Sequence, residues 1–213
     1  MKVAIQGIRG SFHHIVAEQY FGKNIDLVEC LSFSEMPNLL KEEKVEVLIM
    51  AIENTIAGAI LPNYALIDDN DLSICGEHHL PVHHNLLVLN GQKIEDIKEV
   101  YSHPMALLQC QHFFEKYPHI RLVESDDTAA SAKRLIGNQE MGIAVIASQK
   151  AGEIFELNTI AKDIEDNKRN FTRFLILDKE NEKSIEEFQI NKASICFHLG
   201  HEVGSLAEVL TAL

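Results

Sequence analysis

Residues 45–54 read VEVLIMAIEN. Apolar side chains fill consecutive positions, so a strand built from them is apolar on both faces, as in a parallel strand covered on both sides. The run then stops abruptly at Glu53, Asn54 and Thr55. Polar groups just past the carboxyl end of such a strand lie where open α/β sheets bind ligands.

The flanking sequence repeats the theme. Upstream, KVAIQG ends in Gly7 and is followed by IRGSF, with Ser11 as an N-cap and Phe12, Ile15, Val16 and Tyr20 at helical spacing. This predicts strand, glycine turn and helix, with the backbone N–H groups of Gly10 and Ser11 open to an anion. IDLVEC (25–30) predicts a second strand, and the helix after it starts near Ser32 or Ser34, with Pro37 tolerated in its first turn. Downstream, residues 72–90 carry the chain from one lobe to another. Strands follow at 99–104, 120–125 and 141–148, with helices at 105–117, from the Asp/Thr cap of DDTAASAKRLI, and over QKAGEIFEL. The last strand, at 171–177, returns to the first lobe and places its start at a cleft. Alternating strands and helices predict an α/β chain with mainly parallel sheets.

Lobe 1 is assigned to residues 1–76 and 165–178, and lobe 2 to 77–164. A charged linker without a periodic apolar face occupies 179–191. KASICFHLG then reads as a strand and SLAEVLTAL as an amphipathic helix from Ser205. One strand and one helix cannot make an independent core, so 192–213 reads as an incomplete module.

The chain has 213 residues, 46% of them hydrophobic and 24% charged, with a formal net charge of −13. That balance argues against nucleic-acid or membrane-surface binding, both of which need basic surface. An anionic substrate would need locally placed arginine. Cys30, Cys75, Cys110 and Cys196 have no CxxC spacing, and free thiols suit a reducing cytosol. With no signal or membrane-spanning stretch, a cytoplasmic protein is expected. HHLPVHH (78–84) pairs His79 and His83 at a metal-like spacing, but Pro81 blocks the helix that would align them, so no metal site is expected.

Five segments, GIRGSF, AIENTIAG, SHPMALLQC, DTAASA and NFTRFLIL, occur in the order and approximate spacing of prephenate dehydratases, and the chain resembles that family over residues 1–178. The tail is similar to the start of the family's regulatory ACT domain. The resemblance implies a two-lobed, type II periplasmic-binding-protein-like α/β fold with a cleft between the lobes, followed by a truncated ACT-like α+β module. It also implies decarboxylating dehydration of prephenate to phenylpyruvate, with no cofactor and no metal. Thr172, Asn54, Ser102 and Gln109 match the catalytic positions, and Arg173, Glu53, Thr128 and Ser11 the substrate-binding ones. Strand alternation allows Thr172 and Arg173 to share the cleft only if the strand bends there; otherwise Arg173 is structural. Phenylalanine is the implied effector, acting only through a complete ACT domain, and a homodimer or homotetramer is expected. The chain departs from the family pattern at Ile8, His13, Met105 and the EVGSL segment. Two other readings fit the same residues: a non-catalytic two-lobed small-anion binding or sensor domain, and a dehydratase preferring arogenate.

Overall fold

The structure, a computed structural model, describes residues 1–179, 192–193, 195 and 197–212. The expected linker therefore lies almost wholly outside the described residues. Two compact units emerge, Met1–Asn181 and Glu182–Leu213.

The larger unit holds two mixed sheets. The first contains β1 (Lys2–Gln6), β2 (Asp26–Cys30), β3 (Val47–Asn54), β4 (Gly58–Ala59), β5 (Leu72–Pro81) and β11 (Phe171–Lys179). Its order is β2-β1-β3-β11-β5, with β4 paired to β3. The second contains β6 (Asn85–Val88), β7 (Glu99–Ser102), β8 (Arg121–Glu124), β9 (Ile143–Ala147) and β10 (Asn158–Ala161), in the order β10-β6-β9-β7-β8. In each sheet three strands are parallel, and the strand arriving from the other lobe, β11 or β6, inserts antiparallel beside the third. The sheets are thus more mixed than the sequence pattern predicts. A strand that re-enters a sheet from its carboxyl end must run against its neighbours.

The apolar run at 45–54 forms β3, and six consecutive residues, Val47–Ile52, are buried. Its side chains alternate between two cores. Leu48 and Met50 pack with Ala4, Leu40 and Leu175, under α2 (Met36–Lys41) and α3 (Leu61–Asp69). Ile49 and Ala51 pack with Ile5, Val16 and Phe174, under α1 (Phe12–Phe21). Each fully buried aliphatic side chain contributes about 1.5–3 kcal/mol, so this one strand anchors the lobe. The second sheet is sandwiched likewise by α4 (Pro104–Leu108), α5 (Gln111–Phe114), α6 (Thr128–Asn138) and α7 (Gln149–Ile154).

Two sequence boundaries move. β5 stays paired with β11 through Pro81, so the first crossing between lobes spans 82–84 rather than beginning at 77. His78 and His79 sit on this edge strand, and only His83 and His84 lie in the crossing. The helix predicted at 105–117 breaks at Gln109 and Cys110 into α4 and α5. Asp166 from the return crossing stops it. Its backbone N–H donates to the Gln109 carbonyl at 2.7 Å, and its carboxylate accepts from the His112 backbone N–H at 3.2 Å.

Three free cysteines, Cys30, Cys75 and Cys110, are present among the described residues. No helix among those residues is long and apolar enough to cross a membrane. In the smaller unit, α8 (Ser205–Ala212) forms as predicted from Ser205. The strand predicted at 192–200 is not formed at the residues described there.

Candidate functional site

The carboxyl end of β3 and the start of β11 meet in register, Asn54 opposite Thr172. Asn54 is fixed from both ends. Its Oδ1 accepts from the backbone N–H groups of Ile56 and Ala57, each at 2.9 Å, closing the turn after β3. Its Nδ2 therefore points across the strand mouth, where it donates to Thr172 Oγ1 at 3.0 Å, to the Phe171 carbonyl at 3.1 Å and to Asn170 Oδ1 at 2.8 Å. Because Thr172 Oγ1 accepts from Asn54, the hydroxyl hydrogen is left for another partner.

Asn170 continues the chain of amides. It is 1% exposed, and its Nδ2 donates to Gln109 Oε1 at 2.9 Å. The same oxygen lies 2.9 Å from His84 Nε2, which must be the donor. Burial lowers the His84 pKa, so the ring is the neutral Nε2–H tautomer, and its Nδ1 has no partner. The network Thr172–Asn54–Asn170–Gln109–His84 joins the two lobes. The crossing segments also bond to one another, Val82 N–H to the Asn170 carbonyl and Ile164 N–H to the His84 carbonyl, both at 2.8 Å.

Other predicted site residues are committed elsewhere. Ser11 is buried and caps α1, its Oγ accepting from the His14 backbone N–H at 3.3 Å. Ser102 is fully buried, and its Oγ donates to the Ile146 carbonyl at 2.7 Å. Thr128 opens α6 half-buried, the cap itself being Asp127, whose Oδ1 accepts from the Ala130 backbone N–H at 2.7 Å. Glu53 is exposed opposite Arg173 in the β3–β11 register. The Arg173 guanidinium reaches β5, where Nε and Nη2 donate to Glu77 Oε2 at 3.0 and 2.9 Å. The register does shift, but between Arg173 and Phe174 rather than between Thr172 and Arg173.

The anion site expected at the first glycine turn is not open. Gly10 N–H donates to His14 Nδ1 at 2.9 Å, and Ser11 N–H to the Ile8 carbonyl at 3.0 Å. His14 stays neutral as an acceptor because burial lowers its pKa despite the Glu18 carboxylate 3.2 Å from Nε2. The turn instead docks lobe on lobe. Ser148 Oγ donates to the Gly10 carbonyl at 2.6 Å, and a Cβ on Gly10 would stand 2.9 Å from Ala151 Cα.

Asn170 and His84 are the site residues that sequence reasoning left unassigned. Each reads as an ordinary polar residue in a loop, and only burial singles them out. The arrangement supplies neutral hydrogen-bond donors around one oriented threonine hydroxyl, suited to holding and labilising a hydroxyl group.

A sequence model of the prephenate dehydratase family matches residues 3–182. The chain belongs to that family. Prephenate dehydratase relatives include the Arabidopsis thaliana "Arogenate dehydratase/prephenate dehydratase 2, chloroplastic", 39% identical over 180 residues, covering 84% of this chain and 47% of that protein. The Escherichia coli (strain K12) "Bifunctional chorismate mutase/prephenate dehydratase" is 29% identical over 215 residues, covering 100% of this chain and 55% of the relative. The chain thus spans about half the length of the curated relatives it matches. In fold it is similar to the solved prephenate dehydratase of Arthrobacter aurescens in complex with L-Phe, with a TM-score of 0.84 at 22% identity, covering 99% of this chain and 71% of that one. The two-lobed α/β architecture is that of the family.

Proposed function

We propose that this chain catalyses the decarboxylating dehydration of prephenate to phenylpyruvate in aromatic amino-acid biosynthesis. The observation that carries the reading is the Thr172 hydroxyl, oriented by Asn54 at a strand mouth inside the family-matched region. The electron pair of the ring carbon–carboxylate bond moves into the ring as carbon dioxide leaves, and the ring hydroxyl departs. With one proton from solvent, the products are phenylpyruvate, carbon dioxide and water. Thr172 Oγ–H donates a hydrogen bond to the departing hydroxyl. Threonine is too weak an acid to give its proton away, so its work is to stabilise developing charge on oxygen. Aromatisation supplies the driving force, and the chemistry calls for no redox cofactor.

Gln109 and Asn170 hold Asn54 and Thr172 in place across the lobes. Arg173 acts through Glu77 to fix the β11–β5 edge rather than by binding a carboxylate. Glu53 and Thr128, exposed and half-exposed, remain the substrate-facing candidates at the rim. Phenylalanine control would act through the ACT domain of the full-length, oligomeric protein in the cytoplasm.

The test is turnover of prephenate by the purified chain, followed through phenylpyruvate absorbance, with Thr172→Ala alongside. A fall of about 10²–10⁴-fold is expected, the range for a positioned proton donor. Near-normal turnover by Thr172→Ala removes Thr172 from the mechanism, and prephenate binding without turnover by the parent chain favours the binding-domain reading. Arogenate is run in parallel, because the Arabidopsis relative is named for both substrates.

A further inference from the structure

We propose that His83, Asp163 and Glu165 form a binding site for a divalent cation of the zinc class, which clips together the two segments that cross between the lobes. His83 lies in the first crossing, between β5 and β6; Asp163 and Glu165 lie in the return crossing, between β10 and β11. The sequence pairs His83 with His79, and Pro81 rules that pairing out. Folding supplies different partners.

His83 Nδ1 stands 3.3 Å from Asp163 Oδ1 and 3.2 Å from Glu165 Oε1, and one donor atom from each of the three residues falls within 4.8 Å of the others. Donors bound at about 2.1 Å to one tetrahedral or octahedral ion stand about 3.0–3.4 Å apart, so the two separations from His83 already match and the two carboxylates, within 4.8 Å of each other, need only close on the ion. One imidazole nitrogen and two carboxylate oxygens make a borderline donor set that neutralises a doubly charged ion and prefers zinc to manganese.

Two further observations support a ligand here. The Glu165 side chain has no solvent exposure. Its Oε2 accepts from the backbone N–H of His84 at 2.9 Å. Its Oε1 faces His83 and Lys168, whose side chains are half or more exposed, so this buried oxygen is presented to the cluster. In addition, a cavity of about 220 Å³ is lined by His83 and Asp163 and gives room for water to complete the coordination shell.

Lys168 is the competitor. Its Nζ lies 3.6 Å from Glu165 Oε1 and also donates to the Asp163 carbonyl. Its side chain is 62% exposed, so it can swing into solvent when an ion enters. Removing its charge should therefore tighten binding.

The probe is zinc chloride, titrated by calorimetry into the untagged, chelator-treated chain, with cobalt(II) absorption as a second readout. One site with Kd below about 10 μM is expected, together with a rise in Tm of about 5–10 °C at a hundredfold excess over Kd. His83→Ala and Asp163→Asn, both at exposed positions, should each weaken it at least about tenfold, and Lys168→Met should strengthen it about 3- to 10-fold. Binding weaker than about 10 μM, or tighter binding unchanged by His83→Ala and Asp163→Asn, would overturn the proposal and leave the three residues as an ion-pair cluster.

Discussion

Replacing Asn170 with alanine tests the amide chain at its centre. The side chain makes two hydrogen bonds, accepting from Asn54 at 2.8 Å and donating to Gln109 at 2.9 Å, at a position 1% exposed. Each bond contributes about 1 kcal/mol net. Neither partner is orphaned by the change, because Asn54 keeps Thr172 and Phe171 and Gln109 keeps His84. Adding a small cavity, the loss sums to about 2–3 kcal/mol, or a fall in Tm of about 4–12 °C. Urea denaturation at pH 7 gives the first quantity and a thermal melt the second. With Asn54 held by fewer partners, kcat/KM for prephenate should fall about 10- to 100-fold, the penalty for a slightly misplaced group. Asn170→Asp sharpens the test. At neutral pH it sets a carboxylate against Gln109 Oε1 in a buried site, so it should destabilise more than alanine. It should recover as falling pH protonates that carboxyl and restores a donor. A loss under about 0.5 kcal/mol for Asn170→Ala, with turnover unchanged, would show that the network neither binds the lobes nor positions Thr172.

Further consequences follow from other contacts. His13 is buried against Phe33 and Phe174, and burial lowers its pKa from 6.5 to about 3. Below pH 6.5 the unfolded chain takes up a proton that the folded chain refuses, so stability falls by about 1.4 kcal/mol per pH unit, or about 2 kcal/mol by pH 5. His13→Leu should remove that part of the slope, read from urea midpoints at pH 7 and pH 5. Gly10 has φ +93° and its added Cβ would meet Ala151 backbone at 2.9 Å, so Gly10→Ala should cost about 2–4 kcal/mol by urea denaturation. A double-mutant cycle of Arg173→Met and Glu77→Met should give a coupling of about 1–2 kcal/mol, consistent with a partly buried pair in which two guanidinium nitrogens share one carboxylate oxygen.

Much of the fold was legible because it rests on local periodicity. VEVLIMAIEN declared a strand apolar on both faces, and the caps at Ser11 and Asp127 announced their helices. Part of the site was legible for the same reason. Asn54 and Thr172 end and begin apolar strands, where a polar residue stands out, and strand order brings those ends together. Gln109 was found only through the family pattern, since periodicity ran a helix straight through it. Ser11 and Ser102 are engaged within the fold, and a hydroxyl that satisfies a helix end or a neighbouring carbonyl has the same sequence signature as one offered to a substrate.

The sequence by itself determined which segments become strands and helices, since hydrophobic spacing and capping act within a few residues. Only the tertiary structure decided that β11 enters antiparallel between β3 and β5, that His14 closes the Gly10 N–H group, that Asn170 is buried between two lobes, and that His83 meets Asp163 and Glu165. Those outcomes depend on partners that are, save for His14, more than 60 residues away along the chain. A hydrogen bond or an ion pair forms by distance in space, and sequence spacing carries no record of it.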